Sequence, residues 1–199
     1  IAYFNYQRPN CGSGIASASQ SMTGMTRRAD SNDGGGSSGP DYLLMEMNNS
    51  IPVAYNVFYN GWSNSTANAT SGVSIHHPAG DEKKISTFTT SLTASGWGTG
   101  GTHWRVLWTG TANGHGVTEG GSSGSPIFNQ NGQIVGQLYG RVESVISSGN
   151  PSSFKCNIGT QIPGNEVLIF YNESFKTVSF DESVKGWTSL FTFQPKLMF

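Results

Sequence analysis

Charged side chains are scarce in this sequence. Lys, Arg, Asp and Glu make up 12% of the 199 residues, against roughly 25% in an ordinary soluble domain, so the hydrophilic surface has to be built from Ser, Thr, Asn and Gly. A net charge of −1 without a basic run removes the electrostatic reason to bind nucleic acid or an anionic membrane, and neither is expected as a partner. No stretch approaches the ~18 consecutive apolar residues of a membrane-spanning helix. No charged n-region, apolar h-region and cleavage site mark a signal peptide. Cysteine is nearly absent: Cys11 and Cys156 lie far apart, and two cysteines neither spell a metal site nor define a disulfide framework. No metal or other cofactor is expected. A sustained helical period is also missing.

What remains is a pattern of short β-branched or aromatic runs between Gly, Asn and Ser clusters. The runs Ile1–Tyr6, Tyr42–Met47, Val53–Tyr59, Gly72–His77, Lys84–Thr89, His103–Trp108, Ser125–Phe128 and Gln133–Tyr139 read as strands. Asn129-Gln130-Asn131-Gly132 between Ile127-Phe128 and Ile134-Val135 reads as a hairpin turn, because Asn-Gly tolerates the positive φ that a tight turn demands. An all-β barrel or sandwich follows. The chain opens on a strand-like Ile1-Ala2-Tyr3-Phe4 without an initiator Met, which suggests a start inside a longer protein whose signal peptide would lie upstream.

The stretch with chemical potential is Glu119-Gly120-Gly121-Ser122-Ser123-Gly124-Ser125-Pro126. A serine hydroxyl is a poor nucleophile near neutral pH, so it needs a base to take its proton and donors to hold the oxyanion. Glycines beside the serine let the backbone aim the N–H groups of Gly121 and Ser123 at one oxygen. Taken alone the stretch also reads as a flexible loop, as does its look-alike Gly36-Ser37-Ser38-Gly39-Pro40. Only the former runs directly into a strand hairpin. Gly120 to Gly124 also fits G-x-S-x-G with Ser122 at its centre, but that motif needs a helix after it, and here a strand is expected.

Gly121-Ser122-Ser123-Gly124-Ser125-Pro126, together with Gly72-Val73-Ser74-Ile75-His76-His77-Pro78-Ala79-Gly80-Asp81-Glu82-Lys83-Lys84-Ile85-Ser86, resembles the lysyl-endopeptidase group of trypsin-fold serine proteases. Further matches run in order through Ala2–Gln7, Asp41–Met47, Gly61-Trp62, Gly96-Trp97-Gly98 and Val135–Gly140. The resemblance implies an all-β, trypsin-like double β-barrel with an incomplete first barrel, a polypeptide substrate and an extracellular, secreted location. It implies Ser123 as nucleophile, Gly121 and Ser123 as oxyanion donors, Asp41 as the carboxylate that orients the base, and Trp97 and Tyr139 beside the substrate. Taken alone, Asp41 after Pro40 would be an ordinary turn residue.

The resemblance also implies a histidine ahead of Asp41, carried in a Thr-Ala-Ala-His-Cys segment before the part matching Ile1. All four histidines, His76, His77, His103 and His115, come after Asp41. His76 and His77 are expected to be structural, and adjacent strand residues point to opposite faces, which argues against a shared metal. The chain is therefore expected to be an incomplete serine endopeptidase, inactive by itself. Ser122 stands where many trypsin-like enzymes carry the Asp that pairs with a newly cut N-terminus, so that activation switch is absent. Val117 stands at the position of trypsin's specificity acid, and Tyr139 where the lysyl endopeptidase has a histidine. Nothing downstream of Gly140 matches the lysine-reading Asp.

Residues 165–199 hold six of the 11 Phe and one of the 27 Gly. That shift, after a polar stretch, suggests a protease-like part at 1–140, a linker at 141–164 and an appended β-rich tail at 165–199 with few contacts to the rest. Ser174 to Phe193 weakly resembles a segment of tailed-phage virion structural proteins. The competing expectation is thus a non-catalytic β-rich protein, virion-associated, that keeps a protease-like scaffold.

Overall fold

Most of the short β-branched and aromatic runs become strands in a computed structural model that describes residues 1–10, 12–30, 32, 43–65, 67–95, 103–112, 114–143 and 167–172. In chain order the strands are β1 (Ala2–Tyr3), β2 (Ser21–Met22), β3 (Met25–Asp30), β4 (Leu43–Met47), β5 (Gly72–His76), β6 (Lys84–Phe88), β7 (Thr93–Ser95), β8 (His103–Val106), β9 (Pro126–Asn129), β10 (Ile134–Glu143) and β11 (Val167–Asn172). The described residues hold no α-helix, only 3-10 turns at Val53–Tyr55 and Pro78–Gly80. The fold is all-β, with antiparallel pairing in every ladder.

Seven strands form one sheet in the order β6-β5-β9-β10-β11-β8-β7, and two ribbons, β1-β2 and β3-β4, stand apart from it. The sheet does not close by a ladder. Edge strand β6 instead meets the segment that follows β8, where Thr109 N–H donates to Thr87 O at 2.7 Å and the hydroxyls of Thr89 and Thr109 lie 3.0 Å apart. The β9-β10 hairpin turns at Asn129–Gly132 as its sequence demands. Gly132 sits at φ 71°, and Asn129 Oδ1 accepts from the N–H groups of Asn131 and Gln133 at 3.0 and 2.9 Å, which replaces ladder bonds the turn cannot make.

Ala69, Phe88, Leu92, Trp104, Val106, Trp108, Ile127 and Leu138 form the apolar core between these strands. Side chains alternate across a strand, so Phe88 and Ser86 on β6 face inward together while Ile85 is left 57% exposed. On the paired β5, Ser74 and His76 take the inward parity, with Ser74 opposite Ser86. One end of the interior is therefore polar. Gly72 keeps β5 close to β9, since a Cβ there would lie 1.9 Å from Phe128 O.

Two expectations change. Val53–Tyr59 is not a strand: Pro52 starts a 3-10 turn, and Asn56 ends it in the left-handed region at φ 46°, so turn geometry overrides the strand preference of Val, Tyr and Phe. The head of the tail is not a separate hairpin either. Val167–Asn172 pairs with β10 from Gln137 to Glu143 and with β8 from His103 to Val106, because those strands would otherwise leave open edges inside the sheet. Cys11, Cys156, the look-alike loop at 36–40 and the virion-like stretch at 174–193 lie outside the described residues.

Candidate active site

The loop between Thr118 and β9 carries the motif, and three sets of backbone bonds fix it. Ala79 N–H of the 78–80 turn donates to Gly120 O at 2.7 Å, Gly124 N–H donates to Leu138 O at 2.9 Å, and Leu138 N–H returns to Ser125 O at 2.8 Å. Within the loop, Ser122 N–H donates to Glu119 O at 3.0 Å and Ser125 N–H to Ser122 O at 3.1 Å. Ser74 Oγ, buried on β5, donates to Pro126 O at 2.9 Å where the strand begins. Gly121 is needed here twice. Its φ is +93°, and a Cβ would fall 2.8 Å from Ala79 N.

The two serines have opposite fates. Ser122 is 0% exposed, whereas Ser123 is exposed. A buried Ser122 followed by strand β9 disposes of the G-x-S-x-G alternative, whose serine must be presented at the surface ahead of a helix. Neither Gly121 N–H nor Ser123 N–H donates to an acceptor among the described residues. Two unspent donors thus flank an exposed hydroxyl.

Ser122 Oγ lies 2.9 Å from His76 Nδ1, and His76 Nε2 lies 3.0 Å from Ser86 Oγ. His76 is 1% exposed and Ser86 0%. Burial first, then the charges of His77 beside it and Lys84, push the imidazole down to about 4, so it is neutral near pH 7. The sequence treated His76 as structural but did not find this tie. The signal was available in the alternation: Ser74, His76 and Ser86 occupy inward positions of paired strands whose outward positions are Ile75 and Ile85, the reverse of the usual partition of polar and apolar residues.

The other histidines are also engaged. His77 Nδ1–H donates to Asp81 O at 3.1 Å, and His115 Nε2–H to Trp108 O at 3.2 Å. His103 is buried with its ring edge against Tyr139, centroids 4.9 Å apart. That contact places Tyr139 on β10 against β8. Ser123 Oγ makes no hydrogen bond to any described histidine. Asp41 and Trp97 lie outside the described residues. Among the described residues no group of three or more His, Cys, Asp and Glu could hold a metal, and no helix is long and apolar enough to cross a membrane.

The amino-terminal segment is tied to the β5-β6 turn that supports this loop. Lys83 N–H donates to Tyr6 O at 3.1 Å, Arg8 Nε pairs with Glu82 Oε1 at 2.9 Å, and Lys84 Nζ pairs with Asp81 Oδ2 at 3.1 Å.

Residues 1–152 match the family model described as the lysyl endopeptidase C-terminal domain. Among curated proteins, the chain is similar to a lysyl endopeptidase of Pseudomonas aeruginosa, 39% identical over 105 residues, which make up 50% of this chain and 21% of that relative. The chain spans about a fifth of that relative's length. The resemblance of residues 174–193 to a virion segment gains no support from either comparison.

Proposed function

The chain belongs to the lysyl endopeptidase C-terminal domain family, and from that membership we propose that it is the nucleophile-bearing part of a secreted serine endopeptidase that hydrolyses polypeptides through an acyl-enzyme. Ser123 Oγ attacks the scissile carbonyl. The N–H groups of Gly121 and Ser123 receive the oxyanion. Asp41 orients the base, and Trp97 and Tyr139 border the substrate. The observation that carries this assignment is the pair of unspent N–H donors at Gly121 and Ser123 beside the one exposed serine hydroxyl of the pair Ser122-Ser123. Donors left free in the resting protein need no reorganisation when charge develops on the carbonyl oxygen, which is where such sites gain most of their rate.

None of the four histidines is proposed as the base, and His103 is buried with its ring edge against Tyr139. His76 uses both ring nitrogens on serines that face the interior, and His77 and His115 are held to backbone carbonyls. Without an imidazole against it, the Ser123 hydroxyl stays protonated, and a triad short of one member retains only ~10³–10⁴-fold over water. The 199-residue chain should therefore fail to label with a fluorophosphonate probe. The full-length gene product should label, and Ser123→Ala should abolish that labelling. Rapid labelling of the isolated chain, or labelling of the full-length protein that survives Ser123→Ala, would refute the assignment.

A further inference from the structure

We infer that His76 is a positioning residue of the nucleophile loop: through Ser122 Oγ it holds the loop in the shape that leaves the Gly121 and Ser123 donors free. The inference rests on the endopeptidase assignment for its purpose, though its geometry stands apart from any reaction. An exposed glycine-rich loop whose key donors must stay unspent cannot hold its shape with those donors. It needs a tie from inside.

Glu119 N–H donates to Ser122 Oγ at 3.4 Å, which fills one of that oxygen's two acceptor sites. The proposed tautomer has the Ser122 hydroxyl donate to His76 Nδ1, and has the neutral ring carry its proton on Nε2 and donate it to Ser86 Oγ. The chain of contacts runs from β6 through β5 to the loop, between residues 46 positions apart in sequence at its longest step. All three side chains have 1% exposure or less, so water does not compete for these bonds. The ring is flanked by His77, the next residue after β5, and by Lys84, its register partner on β6, while Glu119 lies on the loop side.

Two amide variants separate the two ends of the ring. Asn places an amide near the position of Nδ1 and can still accept from Ser122. Gln reaches toward Nε2 and can meet Ser86 instead. We would measure backbone hydrogen exchange in the full 199-residue chain, at Ser122 and Gly124 in the loop and at Leu92, whose N–H bonds to Ala69 O away from the loop. His76→Gln and Ser122→Ala should speed exchange at Ser122 and Gly124 by about tenfold relative to Leu92, the effect of losing one ordinary hydrogen bond. His76→Asn should leave the ratio within about threefold. A rise shared equally by all three amides, or an Asn variant as loose as the Gln variant, would overturn the inference. Should the variants not fold, the unaltered chain decides through its His76 ring-nitrogen spectrum: an Nε2-protonated neutral ring at pH 7 is expected, and an Nδ1-protonated ring or an imidazolium overturns it. The endopeptidase assignment fails separately. A loop held by His76 in a full-length protein whose Ser123 does not label would leave the positioning role standing and remove its catalytic purpose.

Discussion

Acid should unfold this protein through His76. The imidazole sits at 1% exposure, and burial, aided by His77 and Lys84, holds its pKa at about 4 rather than 6.5. Between those values the unfolded chain binds a proton that the folded chain refuses. Stability is therefore complete above pH 6.5, declines as pH falls through the window, and has lost the whole contribution by about pH 4. That depression corresponds to ~3 kcal/mol, a large part of the ~5–15 kcal/mol that keeps a domain folded. The assay is urea unfolding at pH 7, 6, 5 and 4, followed by tryptophan fluorescence, on the unaltered chain and on His76→Asn. The variant starts from a lower stability, but its slope in this window should be shallower, because a group that cannot titrate replaces one that does. Parallel curves for the two proteins would show that His76 takes up its proton as readily folded as unfolded, and the buried tie to Ser122 and Ser86 would have to be abandoned.

Two further outcomes are expected. Gly121→Ala meets both a positive φ of +93° and a Cβ contact 2.8 Å from Ala79 N, so it should cost about 1–3 kcal/mol by urea unfolding, and in the full-length protein it should lower fluorophosphonate labelling more than binding of a peptide product; a loss under ~0.5 kcal/mol would mean that the loop accommodates the side chain. Deleting residues 165–199 should destabilise the remainder by more than about 3 kcal/mol, since strand β11 bonds along both β10 and β8 and its removal opens two edges; a change within ~1 kcal/mol would show that the strand contributes nothing.

What could be read from the residues was what local chemistry decides. The Asn129–Gly132 turn, β5, β6 and β9 follow from turn residues and β-branched runs a few positions apart. Strand β3 escaped because Met25-Thr26-Arg27-Arg28-Ala29-Asp30 forms an exposed ribbon, where charged residues replace the usual alternation. Strand β7 spans only Thr93–Ser95, too short for any period to show. The place of β11 depends on partners at 137–143 and 103–106, and nothing within six residues specifies such distant pairing. The site divides in the same way. Gly121 and Ser123 are visible in one short motif, whereas the burial of Ser122 is set by a histidine on another strand.

The loop shows why a polar end of the interior is retained at all. Serines and an imidazole at inward positions are normally worse than apolar side chains, because each buried polar group must find a partner or lose about 1–3 kcal/mol. Here each finds one: Ser74 with Pro126 O, Ser86 with His76 Nε2, and His76 Nδ1 with Ser122. Apolar replacements would pack as well, yet they could not grip a loop whose backbone bonds among the described residues run through Glu119 O, Gly120 O, Ser122 N–H and O, Gly124 N–H and the N–H and O of Ser125. The polar interior and the unspent donors are thus two sides of one arrangement, in which the strands behind the loop supply the bonds that the loop itself must withhold.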